Sequence, residues 1–286
     1  MSVNIKDFFD KDTATFTYVV SDPETSEAAV IDSVLDYDRD SGRTSTKSAD
    51  KVIEYVRNKK LKIEWVLDTH IHADHLTASH YIKEKLGGKI AIGDHIKDVL
   101  KFWVPIFNTK HDTPLDGSQF DVLLGDNQVI MLGNKEIKVM HTPGHTPACS
   151  CYLIEDAVFV GDTIFMPDLG TARTDFPGGS AETMYDSIQR LLSLPDSTRI
   201  FVCHDYPPET RGIKFMATVK EHKEKNVMIN SRVSKSEYVK ARNKRDEGKP
   251  VPKLLLPSIQ VNMRAGIFGD AESNGVKYVK IPLNKI

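Results

Sequence analysis

Residues able to ligate a metal gather at four places in this chain, each directly after an apolar run. The densest is Thr69-His70-Ile71-His72-Ala73-Asp74-His75, four candidate ligands within six residues, fed by the run Ile63–Leu67. On an extended loop His70 and His72 point to the same side, as two ligands of one ion would need. Asp74 and His75 stand where the next helical spacing begins and can face a neighbouring position. Imidazole nitrogens suit zinc or iron, and a carboxylate tilts the choice towards the harder ion. A solvated loop can also carry clustered histidines, but this pattern behind an apolar strand argues for a metal site.

Three later clusters follow the same plan. In His141-Thr142-Pro143-Gly144-His145-Thr146 the Pro-Gly pair forces a turn that presents His145. Gly161-Asp162-Thr163 follows the run Ala157–Val160, and an aspartate at a buried strand end needs a cation or hydrogen-bond donors. Cys203-His204-Asp205-Tyr206 follows Thr198–Val202. Singly, each has an ordinary reading as an exposed turn or a capped strand end. Together with the first, in this order, they describe one metal centre.

The elements that must position these residues can be read from periodicity. Strands are expected at Ala14–Ser21, Glu27–Asp32, Ile63–Leu67 and Lys89–Ile92, then at Gln128–Leu132, Glu136–His141, Ser150–Glu155, Ala157–Val160 and Thr198–Val202. Helical spacing predicts helices at Ala49–Lys59, Leu76–Leu86, Ser180–Leu194 with Ser180 as N-cap, Glu209–Lys225 and Ser234–Glu247 with a capping box. Leu35–Ser48, rich in Asp, Ser and Thr, reads as a long loop, and Phe102–Asp121 as irregular. Strands and helices thus recur in two batches, about residues 1–110 and 120–205, without a sequence repeat or a clear linker. An α/β architecture with two mixed sheets face to face and helices outside fits this order. We expect a catalytic domain over residues 1–210, with 211–286 as a helical extension and tail packed on it.

Composition narrows the classes of function. The 286 residues are 40% hydrophobic and 27% charged with a net charge of −2, which does not favour nucleic acid as a partner. No apolar run is long enough to span a membrane, and the first residues carry no secretory signal, so a cytoplasmic protein is expected. The cysteines Cys149, Cys151 and Cys203 are too few for a disulfide framework and are read as buried, reduced thiols. Arg211–Lys253 holds 13 Lys/Arg against 5 Asp/Glu, which solvated helices explain, or a basic rim attracting anionic substrates.

The motif order His-x-His-x-Asp-His, Pro-Gly-His-Thr, Gly-Asp and a final His resembles the metallo-β-lactamase superfamily, over about residues 14–206. The resemblance implies an αββα sandwich. Gly170-Thr171-Ala172-Arg173-Thr174-Asp175-Phe176 and the tail Leu256 to Gly266 are similar to segments of the persulfide dioxygenases and the bacterial β-lactamase-like hydrolases of sulfide metabolism. That branch implies one Fe(II) held by His70, His145 and Asp162, a two-histidine, one-carboxylate set with positions open to O₂ and sulfur. His72, Asp74, His75 and His204 would then support the ligands and shape the pocket. Arg173 and Arg264 fall in the segments tied to substrate, with Arg173 meeting glutathione or, alternatively, pairing with Asp175. Mitochondrial members carry a cysteine where this chain has Ala265, so no role of that thiol transfers. A homodimer is the family's expectation.

The implied reaction is oxidation of glutathione persulfide by O₂ to sulfite and glutathione. The same residues also complete the two-metal site of a glyoxalase II-like thioester hydrolase: His70, His72, His145 and Asp162 for one Zn(II), and Asp74, His75, His204 and the shared Asp162 for another. The Arg173–Phe176 segment and the Met263-Arg264 tail favour the dioxygenase. A lactonase or true β-lactamase fits the expected cytoplasmic setting less well. A purely structural metal module fits poorly, because structural zinc sites are closed by four protein ligands.

Overall fold

The computed structural model describes residues 2–286. Its first half runs through strands β1 (Asn4–Asp10), β2 (Thr15–Ser21), β3 (Glu27–Ile31), β4 (Val34–Asp38) and β5 (Arg43–Ser45) into helix α1 (Lys47–Asn58). It continues with β6 (Lys62–Leu67), β7 (Leu76–Thr77), α2 (Ser79–Leu86), β8 (Lys89–Gly93), α3 (Ile96–Phe107) and β9 (Val122–Leu124). The second half holds β10 (Val129–Leu132), β11 (Lys135–His141), β12 (Ser150–Ile154), β13 (Ala157–Phe159), α4 (Ala181–Leu192), β14 (Arg199–Phe201) and β15 (Met216–Thr218). Helices α5 (Val219–Lys225), α6 (Lys235–Asp246) and α7 (Leu255–Asn262) close the chain.

Two six-stranded mixed sheets result, in the orders β1-β2-β3-β6-β8-β9 and β10-β11-β12-β13-β14-β15. Alternation along the strands divides the core into three layers. Phe16, Tyr18, Val20, Ala29 and Ile31 of the first sheet meet Val139, Tyr152, Ile154 and Phe159 of the second. The opposite face of the first sheet (Val19, Val30, Val66, Ile92) packs on α1, α2, α3 and α7. That of the second (Cys151, Val158, Ile200) packs on α4 and Tyr238 of α6. This is the αββα sandwich. Among the described residues no helix is long and apolar enough to cross a membrane.

Several local expectations are corrected. Most of Leu35–Ser48 is a β-hairpin, β4 with β5, running into α1 at Lys47, and β4 also pairs with β7, so Leu76–Thr77 belong to a strand and the helix begins at Ser79. Phe102–Asp121 includes the last turns of α3, which tolerates Pro105 near its end. The expected helix at Glu209–Lys225 shrinks to α5: Gly212 lies within its first part, and Met216–Thr218 form a strand against β14. Residues beyond 210 therefore supply an edge strand of the second sheet and, through Leu255 and Ile259, part of the core over the first. The caps at Ser180 and Ser234 form as expected.

Candidate metal centre

The ligand loops leave the two sheets at a shared edge. His70 to His75 follow β6, which runs parallel to β3 and β8, while Asp162 and His204 follow the parallel neighbours β13 and β14. His145 lies in the β11–β12 turn. The sheets are tied together here: Ser150 N donates to Thr69 O at 2.9 Å, and Phe16 N to Cys203 O at 2.7 Å. Two glycines permit the close packing. Gly161 has φ +51° and a Cβ there would lie 2.4 Å from Thr69 Oγ1, while Gly144 has φ +144° and a Cβ there would lie 2.4 Å from the Met184 Cα of α4.

All seven candidate ligands converge, in two groups. His70, His145 and Asp162 each offer an atom within 4.8 Å of the others, and so do His72, Asp74, His75 and His204. His145 Nε2 lies 3.7 Å from Asp162 Oδ2. His204 Nε2 lies 3.4 Å from Asp162 Oδ1 and 3.2 Å from Asp74 Oδ2, so Asp162 faces both groups. Of the buried side-chain N and O atoms without a hydrogen-bond partner among the described residues, six fall here: His70 Nε2, His72 Nδ1, Asp74 Oδ2, His75 Nε2, Asp162 Oδ1 and His204 Nε2. Leaving one such atom unpaired costs about 1–3 kcal/mol, so six around one point fit a bound cation. The residues present therefore suit a metal, through nitrogen and carboxylate oxygen donors.

The other ring nitrogens are held by partners that sequence reasoning missed. His145 Nδ1 is 2.7 Å from the Arg173 carbonyl and His70 Nδ1 is 3.0 Å from Thr69 Oγ1. His72 Nε2 is 3.1 Å from Asp32 Oδ1, and Asp32 also accepts from Thr69 N at 2.7 Å. Thr15 Oγ1 lies 3.4 Å from His75 Nδ1 and 3.2 Å from His204 Nδ1. Asn262, at the end of α7, donates to the His72 carbonyl at 2.8 Å and the His75 carbonyl at 2.9 Å, and accepts from Thr77 N at 2.8 Å. One amide thus spends its hydrogen-bonding capacity on the ligand loop. Supporting contacts of this kind fix ring orientation and raise ligand basicity.

Electrostatics favour ligation. Burial, with the neighbouring imidazoles, pushes His70 and His72 well below the usual histidine range, so both are neutral donors. Burial works against charge on His204 too, but Asp74 and Asp162 outweigh it and raise its pKa. Burial raises Asp162, while for Asp74 the facing His204 and His75 overcome burial and hold it well below the carboxylate range. The cysteines are all free and buried. Burial pushes Cys149 up to about 12 and Cys151 up to about 11, which disqualifies both as nucleophiles. Cys203 Sγ lies within 4.8 Å of ligand atoms of Asp162 and His204, with burial again raising its pKa.

A cavity of about 340 Å³ opens beside the metal cluster, bounded by His145, Asp162, Phe165, Phe176, Arg173 and Lys249 among others. Arg173 lines it, but both its Nε and Nη2 donate to Asp175 at 2.6 Å, and Nη1 donates to the Pro250 carbonyl at 2.8 Å. Arg264 lies elsewhere: it is buried, paired with Asp112 at 2.9 Å and bound to the Gln260 carbonyl at 2.7 Å. The structure thus gives Arg264 a partner inside the fold and no place on the cavity wall.

The sandwich and this site place the chain in the metallo-beta-lactamase superfamily, whose family model matches residues 10–204. Among its relatives, the chain is 50% identical to Glyoxylase B2 of Dictyostelium discoideum, covering 98% of this chain and 97% of that one. It is 29% identical to the mitochondrial persulfide dioxygenase ETHE1 of Bos taurus, covering 93% and 89%. Among solved structures, ETHE1 from Myxococcus xanthus superposes with a TM-score of 0.74 at 27% identity, covering 92% of this chain and all 100% of that one.

Proposed function

We propose that the protein is a persulfide dioxygenase holding one Fe(II) through His70, His145 and Asp162. The carrying observation is that these three residues form a group of their own, a two-histidine, one-carboxylate set beside a cavity. In the reaction, glutathione persulfide, O₂ and water give glutathione and sulfite. Bound iron would supply open positions for O₂ and the terminal sulfur. The chain's own contribution is orientation and exclusion of water. The Arg173 carbonyl fixes the ring of His145 and directs its Nε2 to the cluster. Phe165, Leu169 and Phe176 give the cavity apolar walls against which a substrate body can shed water. Lys249 and Arg245 stand on the same wall, and either can meet an anionic group of the carrier. The similarity to ETHE1 over most of both chains supports this reading.

A thioester hydrolase with two metals is the second reading. It is favoured by the 3.4 Å approach of His204 to the second Asp162 oxygen, which suits a shared carboxylate, and by the similarity to Glyoxylase B2. Oxygen uptake by iron-loaded protein given glutathione persulfide, with sulfite assayed, separates the two. Uptake matched by sulfite is expected. No uptake, with S-lactoylglutathione hydrolysed by protein carrying two metals per chain, would transfer the assignment to the hydrolase.

A further inference from the structure

A second, smaller cavity touches the metal cluster at His145. Its volume is about 20 Å³, above the roughly 10–15 Å³ that one water-sized molecule needs. Four separate segments build it: Ile71 from the ligand loop, Val99 and Trp103 one turn apart on α3, Phe176-Pro177 ahead of α4, and Ile259 of α7. Ala73, His145 and Phe176 border both this cavity and the larger one of about 340 Å³, so the two spaces share a partition. Phe176 meets His145 edge-on with ring centroids 4.9 Å apart, and the Arg173 guanidinium carbon lies 5.2 Å from the centre of its ring. The partition is thereby packed directly against the ring of a candidate ligand.

The two cavities differ in chemistry. Arg173, Arg245, Lys249, Asp74 and Asp162 border the larger one, whereas among the described residues His145 is the one ionisable side chain on the smaller. The polar side chains of His145 and Thr146 are already engaged: His145 Nδ1 lies 2.7 Å from the Arg173 carbonyl, and Thr146 Oγ1 lies 3.1 Å from Cys149 Sγ. A water molecule, which needs roughly two to four polar partners, gains little from such a wall. A small molecule without dipole or hydrogen-bonding groups gains by leaving water for it. We infer that this cavity is a binding site for O₂, held against His145 while the thiol-borne sulfur enters by the larger cavity. The use of that O₂ rests on the proposed dioxygenase reading, whereas its binding does not depend on turnover.

O₂ is paramagnetic and speeds the relaxation of nuclei beside it, so methyl NMR of the zinc-loaded protein under O₂ pressure reports occupancy directly. The methyls of Ile71 and Ile259 are expected to relax several-fold faster under O₂ than those of Ile53 and Ile63, which are buried to a similar degree. Val99→Ile, which adds one methylene to the wall, should cut this enhancement roughly threefold, and Val99→Ala, which widens the cavity, should raise it. Opposite responses of the two variants separate filling of the cavity from damage to the fold. In the iron-loaded enzyme Val99→Ile should raise the KM for O₂ more than it lowers kcat. Enhancement at Ile71 and Ile259 no greater than at Ile53 and Ile63, or equal in the parent and Val99→Ile, overturns the site. A KM for O₂ unmoved in a variant that has lost the enhancement overturns its part in the reaction. Enhancement in a protein that takes up no oxygen with glutathione persulfide upholds the site and refutes the dioxygenase reading alone.

Discussion

The two ligand groups differ in how they are held. His70 and His145 rest on partners inside the stretch that bears the ligands, namely Thr69 and the Arg173 carbonyl. His75 and His204 both lean on Thr15 in β2, and the loop carrying His72 and His75 is gripped by Asn262 from α7. Asp32 backs both groups, through Thr69 and through His72, but only the second draws on residues near both ends of the chain. Asp162 is the point they share, with one oxygen towards each.

The largest effect should come from breaking the shared point. Asp162→Ala should remove metal from both groups and lower activity by more than the roughly 10–100-fold that loss of a supporting residue costs. Metal content per chain and rate, measured together, check this; a variant that kept its metal would dissolve the distinction between shared and separate ligands. A smaller and more selective effect is expected for Asn262→Ala. It leaves two carbonyls and an N–H of the ligand loop unpaired, and should weaken metal binding by about 10–100-fold in chelator competition. Rescue by a polar replacement would mark the hydrogen bonds, not the bulk of the side chain, as the cause. Equal metal affinity in the parent and the alanine variant would show that α7 covers the loop without steering it.

Much of this contrast was hidden in the sequence. The convergence of the seven candidate ligands was legible, because each follows a compact apolar strand and four of them crowd into one loop. The central strands were legible for the same reason. Their supporters were not: Thr15, Asp32 and Asn262 are ordinary polar residues whose importance arises only when distant segments meet. Strand β1, Asn4–Asp10, is half polar and lies at a sheet edge, so alternation did not reveal it. The β4–β5 hairpin read as a loop because its exposed Asp, Ser and Thr carry no apolar period. Helix α7 was missed for the opposite reason: buried nearly all round, Leu255–Asn262 shows no polar face to set a helical rhythm. Arg264 shows the limit of motif reasoning, since its segment resembles a substrate-linked tail while its guanidinium is engaged by Asp112 within the fold.

The central claim is that His70, His145 and Asp162 suffice for the chemistry. The most direct measurement is oxygen uptake and iron content of a double variant, His75→Ala with His204→Ala, whose fold is checked by circular dichroism. The account predicts about one iron per chain, with sulfite formation retained and lowered by no more than the roughly 10–100-fold that supporting residues contribute. A folded variant that holds iron at the first group yet has lost oxygen uptake, or one that has lost iron altogether, would contradict it.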